Sequence, residues 1–352
     1  MLFLSEKETL AWSERGQLAL ANLLVPEHAL DQVRTALRPH FCFYIGSLLA
    51  AHGNVTDGKQ WLQWGADAEP VPLNAYFLNY LERHGDQLTT SQPVFADPRP
   101  YVHFSTLPPL QRARQQFIQQ SAASLPPFGR PLRFIDMGCG DGALTRDLLG
   151  ELCRQGNADG VQEIFLAEPS ERMLELAQKN LSMAFPETRI VALQGRSEEV
   201  CSRFPSDCDL AISSLAWHHM PAETKQVLAR RLAEVVDHVL LFEIEGNHDT
   251  PELDSPALAV SLYQLYGGAV ALVLAHEAPQ EVIQASADAF LIGEMISVIT
   301  QPRGLRTEYH MLRRQWIDLL NQGLGAEFEC RADHTCYCDG YVELYLLHYG
   351  RR

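Results

Sequence analysis

The sequence predicts an α/β protein built on a doubly wound, largely parallel sheet, with a helical N-terminal region and a helical insertion. Three observations carry this. From Leu132 onward, strand-length apolar runs alternate with helix-length amphipathic patterns. That order builds a sheet with helices on both faces. The first of these strands runs directly into a glycine-rich turn, Gly138-Cys139-Gly140-Asp141-Gly142, followed by a helix pattern. Before it, residues 1–90 carry apolar residues at helical spacing, broken near Pro26, Pro39, Gly53 and Pro70.

The elements follow in order. Strands are expected near 132–136, 162–167, 189–193, 208–213 and 238–243. Helices are expected near 142–154, 170–181, 221–235 and 308–322. Two last strands, near 326–331 and 341–348, flank a turn at Asp339-Gly340. A helical block at about 255–300 interrupts the pattern after the fifth strand. Residues 91–109 hold Pro93, Pro98, Pro100, Pro108 and Pro109. That density predicts a linker without regular helix. Phe95, Tyr101, His103 and Phe104 lie within it, so it should pack on something. Residues 110–124 then read as one helix. In the N-terminal region, Cys42, Gly46, Leu49, Gly53, Gly58, Leu62, Gly65 and Pro70 sit at the offsets of a single hairpin that resembles a tetratricopeptide repeat.

Composition narrows the function. Of the 352 residues, 46% are hydrophobic, enough for a sizeable core, and the formal net charge is −16. No basic run is present to follow a phosphate backbone, which argues against a nucleic-acid partner. The longest uncharged run, Ser255 to Ala275, holds Ser, Gln, two Tyr and a Gly-Gly pair. It reads as a buried or lid helix and not as a membrane span. The eight Cys lack paired spacing, which suits a reducing, cytoplasmic setting. His334-Thr335-Cys336-Tyr337-Cys338 supplies at most three donors, and alternation in a strand would put both thiols on one face as ordinary packing. No ligand set with metal spacing is expected.

The chemistry concentrates at the carboxyl ends of the predicted strands, where such sheets bind ligands. Glycines at 138, 140 and 142 let the backbone bend and approach a ligand closely. The same loop formally satisfies a dinucleotide fingerprint with Ala143 in last place, so a nicotinamide cofactor is one reading. Asp136 at the strand end and Asp141 in the loop suit a ligand with a cationic amino group and would repel phosphates. Glu168, at the tip of the second strand, can accept from both hydroxyls of a ribose in either cofactor class.

Residues 132–245 resemble the core of the class I S-adenosylmethionine methyltransferases. The Asp136-x-Gly138-x-Gly140-x-Gly142 loop is similar to the family's first motif. Glu168-Pro169-Ser170 followed by Glu171-Arg172-Met173-Leu174-Glu175-Leu176-Ala177 is similar to its second. Asp209 to His219 looks like its fourth strand and following loop. The resemblance implies a Rossmann-like sheet of seven strands closed by an antiparallel hairpin at one edge, with S-adenosylmethionine as cofactor. It implies cofactor contacts from Asp136, Gly138, Cys139, Gly140, Glu168, Pro169, Met173, Arg196, Ser197 and Ser213. Arg196 departs from the pattern, standing where the family usually has an acid near the adenine. The adenine would then meet the Arg196 amide and the Ser197 hydroxyl. The division expected is a helical region at 1–90, linker and leading helix at 91–125, and a methyltransferase domain at 126–352 with its insertion at about 250–305.

The implied reaction is methyl transfer to the oxygen, nitrogen or carbon of a small-molecule acceptor. Transfer needs alignment, exclusion of water and, for a protonated nucleophile, a base. His218 and His219 follow the fourth strand and are the candidates. The alternative for either is to cap the helix that starts near Pro221. Trp217, Glu243, Glu245, His248, Tyr263 and Tyr266 are the candidate substrate residues, with Glu243 or Glu245 facing the pocket. The insertion suits an active-site cover and a homodimer interface equally. The other functions left open are a nicotinamide-dependent oxidoreductase and a non-catalytic adaptor on a methyltransferase core.

Overall fold

In a computed structural model, described for residues 2–67, 69–89 and 98–352, one seven-stranded sheet organises the chain. Its strands are β1 (Leu132–Met137), β2 (Val161–Glu168), β3 (Arg189–Gln194), β4 (Cys208–Ser214), β5 (Val236–Ile244), β6 (Phe328–Cys338) and β7 (Glu343–Arg351). They lie in the order β3-β2-β1-β4-β5-β7-β6. The first five are parallel, whereas β7 runs antiparallel to both β5 and β6. The order steps outward from β1 in both directions, so the connections that leave the carboxyl ends of β1 and β4 turn to opposite sides. A crevice for a ligand opens there.

Each core strand is buried on both faces, which is why it reads as a continuous apolar run. Alternate residues feed two separate cores. Phe134, Leu210, Leu240 and Leu346 point into one cluster, and Ile135, Ala211, Leu241 and Leu347 into the other. The first cluster is covered by α7 (Pro108–Ser124), α8 (Ala143–Gln155) and α9 (Glu171–Ala184). The second is covered by α11 (Ala222–Val235) and α15 (Arg313–Leu324), with the short α10 (Ser197–Val200) beside them.

The N-terminal helices are α1 (Glu6–Leu20), α2 (Pro26–Asp31), α3 (Arg38–Ala51), α4 (Val55–Ala66) and α5 (Leu73–Arg83). They share the first cluster with the sheet: Trp12, Phe41, Phe77 and Phe134 belong to one buried core. α3 and α4 form an antiparallel hairpin whose helices touch through small residues. A Cβ on Gly58 would lie 2.8 Å from the carbonyl oxygen of Gly46, and one on Gly65 2.8 Å from Cys42 Cβ.

The insertion comprises α12 (Pro256–Ala275), α13 (Gln280–Ser286), a π-helical stretch (Ala287–Ile292) and α14 (Gly293–Thr300). Two stretches in it are long and apolar enough to cross a membrane. Pro256–Ala275 is 78% buried over its most apolar window and Gln280–Thr300 61%, as expected of helices packed against protein. Tyr263 joins α12 to the N-terminal helices. Its ring packs on His40 at 4.3 Å and its hydroxyl donates to Glu69 at 3.3 Å.

Three expectations are corrected. The proline-rich stretch is not free of helix: Pro98–Ser105 forms α6, and α7 begins at Pro108. Prolines are tolerated in a helix's first turn, where the missing N–H has no partner to lose. Pro93 and Phe95 lie outside the described residues. The helix expected from 308 begins only at Arg313, because residues 309–312 run extended beneath β5's loop. Finally, Cys336 is buried while Cys338 is exposed, since a register shift between Thr335 and Tyr337 breaks the alternation.

The α3–α4 contact makes a testable point. Gly58→Ala gains about 1 kcal/mol of helix propensity, but overpacking typically costs about 1–3 kcal/mol. The atom in the way is backbone oxygen, which yields only if the helix moves. Urea unfolding should show Gly58→Ala less stable than the parent. Equal or greater stability would show that the hairpin is loosely packed.

Candidate active site

The glycine loop stands at the head of β1. Gly138, Gly140 and Gly142 all adopt positive φ, at 81°, 52° and 72°. Space also demands glycine at two of them. A Cβ on Gly138 would strike Ala216 at 2.3 Å, and one on Gly140 the Tyr101 hydroxyl at 2.6 Å. The loop is tied back by Gly138 and Cys139 N–H groups donating to Ala167 O at 2.8 and 3.2 Å. Asp141, half-buried, accepts from Ala143 N–H, the first residue of α8, at 3.0 Å.

Glu168 is buried, and its carboxylate is pinned on both sides. One oxygen accepts from Gly140 N–H at 3.1 Å and the other from Ser170 N–H at 3.0 Å. Burial raises its pKa, while these two amides pull it back. A carboxylate so held is a rigid acceptor for paired hydroxyls. Asp136, also buried, accepts from the Thr145 hydroxyl. Burial pushes it up to about 7, with Glu168 and Asp141 adding to the rise.

The other cofactor candidates fall around this loop. Cys139 and Met173 are buried. Ser213, at the end of β4, is fully buried with its hydroxyl unpartnered, which suits a site meant for a ligand. Pro169 is exposed beside Glu168. Ser197 is buried at the start of α10, and the Arg196 side chain points to solvent. The Arg196 amide donates to Glu199 at 3.0 Å, so it is not free to meet an adenine.

From Gly138, contact passes through Ala216 to a second group of residues. His218 is buried, and its Nδ1 lies 2.8 Å from Glu243 Oε2. Glu243 is fully buried, and its other oxygen accepts from Trp217 N–H at 3.1 Å. His310 stacks on His218 at 4.2 Å between ring centres, and His248 meets His310 edge-on at 5.0 Å. His219 Nδ1 lies 2.8 Å from Glu308 Oε1. Tyr266 stacks on His248 and reaches Glu294 at 3.5 Å.

Electrostatics divides the two adjacent histidines. Burial, with His219 and Lys225 nearby, drives His218 well below the usual imidazole range, so it is neutral at pH 7. Burial also works against a charged His219, yet the Glu308 carboxylate outweighs it and raises the ring to about 10. Burial pushes Glu243 up to about 7, and Lys225 opposes it. Neutral His218 donates from Nδ1 to Glu243 and keeps a lone pair on Nε2.

Residues 303–310 reach this place because several bonds pin them. Lys225 Nζ donates to Tyr309 O at 2.6 Å, Tyr309 N–H to His218 O at 2.6 Å, and Arg306 to His248 O at 3.0 Å. Arg303 pairs with buried Asp249 at 2.8 Å. Asp249 also accepts from Ala222 N–H at 3.1 Å. It thereby fills the helix-capping role considered for the histidines.

The structure thus brings His218, His219, Glu243, His248 and Tyr266 together. It moves three other candidates elsewhere. Trp217 packs into the second core against Trp316. Glu245 accepts from Arg313 N–H at 3.2 Å at the start of α15. Tyr263 faces the N-terminal helices. It adds Tyr101, Lys225, Glu294, Glu308 and His310. A lysine at helical spacing from Leu228 and Leu232, on the apolar face of an amphipathic pattern, was the one signal for Lys225. The others come from the insertion, the segment after it and the proline-rich stretch, none of which has a periodicity that points to a site.

Residues 134–238 match the family model described as a methyltransferase domain. This stretch of the chain is a methyltransferase domain. The match chooses between the two cofactors that the loop alone allowed. No curated protein matches the chain in sequence. Among solved structures it is similar to SCL7 in Oryza sativa, at 13% identity, over 97% of this chain and 98% of that one, with a TM-score of 0.60. The shared fold therefore takes in the N-terminal helices and the insertion. It is also similar to magnesium protoporphyrin IX methyltransferase (ChlM) from Synechocystis PCC 6803 with bound SAH, at 13% identity, covering 78% of this chain and 95% of that one, TM-score 0.40. A further likeness is to an S-adenosylmethionine dependent methyltransferase from Mesorhizobium loti, at 15% identity, covering 66% and 96%, TM-score 0.39.

Two measurements check the methyltransferase site. Glu168→Ala should weaken S-adenosylhomocysteine by roughly 1–3 kcal/mol, since a fixed charged acceptor is lost. Unchanged affinity in calorimetry would remove Glu168 from the cofactor contacts. The second concerns Asp136, whose folded pKa of about 7 lies above its unfolded value. Its protonated form is favoured in the free protein, so ionising it costs stability as pH rises from about 4 through 7. A cationic amino group beside it favours the ionised form. Affinity for S-adenosylhomocysteine should therefore rise between pH 5.5 and 7.5, with proton release on binding near pH 6. A flat profile would place the ligand's amino group away from Asp136.

Proposed function

We propose that this chain transfers the methyl group of S-adenosylmethionine to a small-molecule acceptor, and that His218, set by Glu243, takes the acceptor's proton. The observation that carries the reading is the His218–Glu243 pair, buried at the carboxyl edge of β4 and β5 and two residues from the Ala216 contact with the glycine loop. When bound, the cofactor supplies an electrophilic methyl on a sulfonium.

The chain's residues account for the rest. Glu168 and the glycine loop would hold the nucleoside, and Asp136 the amino group. Glu243 holds the Nδ1 proton of His218, which fixes the tautomer and leaves Nε2 to accept. α12 and α14 close the cluster from outside. The burial of His218, His248 and Tyr266 favours an acceptor small enough to be enclosed. The net charge of −16 disfavours a nucleic-acid acceptor. A cytoplasmic setting suits the eight free thiols.

Screening polar hydroxyl and amine metabolites with labelled S-adenosylmethionine tests the reading. Transfer to a small molecule supports it, and labelling of protein or nucleic acid alone defeats it. With an acceptor in hand, His218→Ala should lower turnover by about 100-fold or more while S-adenosylhomocysteine affinity holds. A loss of only a few-fold would move the proton acceptor elsewhere.

A further inference from the structure

We propose that the cluster beside the cofactor loop is a binding site for one divalent transition-metal ion, held by His218, His310 and Glu308. The inference rests on the reading of this cluster as the acceptor site, departs from the expectation that no metal-ligand set exists, and gives the Nε2 lone pair of His218 to the ion in place of the acceptor's proton. Two groups here have donor atoms within 4.8 Å of one another: His218, Glu243 and His310, and His218, His219 and Glu308. The linear sequence hides both, because Glu308 and His310 lie beyond the insertion.

The first argument is geometric. Glu308 Oε2 lies 3.7 Å from His218 Nε2 and 3.6 Å from His310 Nε2. Both separations are too long for hydrogen bonds. They are close to the roughly 3.3 Å between ligand atoms around a tetrahedral ion with bonds of about 2.0–2.1 Å. Glu308 Oε2 is the neighbour shared by both imidazoles and so joins the two groups, and side-chain movement about it would bring all three atoms onto one ion.

The second argument is unmet polarity. Glu308 is 1% exposed, yet Oε2 has no hydrogen-bond partner, its sister oxygen being taken by His219. His310 Nδ1, also buried, is unpartnered too. Buried polar atoms are rarely left so, and two around one point mark a place for a ligand.

The third argument is support around the donors. Glu243 holds the Nδ1 side of His218, and Trp217 N–H holds Glu243. This carboxylate–histidine arrangement directs Nε2 outward, as it does for metal-binding imidazoles. The segment carrying Glu308 and His310 is pinned by Lys225, Arg303 and Arg306. Two imidazoles and a carboxylate suit zinc, iron or manganese better than calcium or magnesium. Three protein ligands leave a position for a hydroxyl of the acceptor, which the ion would polarise.

The test uses the full chain stripped with chelator, titrated with Zn²⁺ in calorimetry and with Co²⁺ by visible absorption. One equivalent should bind, and His310→Ala or Glu308→Gln should weaken it at least tenfold. His334→Ala, in the exposed His-Thr-Cys-Tyr-Cys strand, should leave it unchanged. Circular dichroism and S-adenosylhomocysteine affinity check that each variant is folded. Absence of saturable binding, or binding lost only in His334→Ala, overturns the site. Cofactor binding and methyl transfer are measured separately. Turnover that survives exhaustive chelation overturns the metal site and leaves the methyltransferase reading standing. Stoichiometric metal without transfer to any small molecule does the reverse.

Discussion

The buried carboxylate of Glu243 is the constraint on which the site depends. A charged or protonated carboxyl without exposure costs several kcal/mol unless its oxygens are satisfied. Here one oxygen takes the Trp217 amide and the other the His218 ring. Those two bonds fix the turn after β4 against the end of β5. They choose which face of the turn looks toward the cofactor loop, and they place His218 inside and His219 half-buried beside Glu308. Removing the carboxylate would free both partners and leave an imidazole buried without its orienting acceptor.

The same economy of buried polar bonds explains how the insertion stays registered on the sheet. The segment after α14 carries no secondary structure until α15, so packing alone would not fix it. Lys225, itself buried, donates to Tyr309 O and lies over the Trp316 ring at 4.5 Å. Arg303 and Arg306 grip Asp249 and His248 O. Burial lowers Lys225 to about 8, against the attraction of Asp249, Glu243 and Glu308. A cation is tolerated there because acids surround it, and those acids are tolerated in turn because of the cation. Structural and chemical roles thus share one network.

The layout of the sheet was legible in the sequence because parallel strands buried on both faces leave an unmistakable record. The five strands from β1 to β5 fall within two residues of their expected ends. The glycine loop and Glu168 were legible for a different reason: strand tips in such sheets are where ligands sit, so chemistry can be read from position. The same rule placed Glu243 and His218 at strand ends, where the structure has them. Trp217, one residue before His218, was misplaced by it. A 3₁₀ turn at Trp217–His219 rotates the indole into the second core, a reversal that a strand-based reading does not contain.

What the sequence concealed is the convergence of distant segments. Glu308 and His310 sit in a stretch whose pattern reads as the start of a helix, and an extended backbone there depends on tertiary bonds to Lys225 and β5's loop. Tyr101 sits among prolines and reaches Gly140 only because α6 is held against the insertion by Phe104 on Phe290 and Ser286 on Pro100. These residues have no spacing in common. They share a destination, the carboxyl ends of β1, β4 and β5, where the cover buries Glu308 and His310. A cofactor-binding core alone would fix the methyl donor. On the reading proposed above, the acceptor would meet the cover, so its specificity would reside in the helices with the least legible sequence.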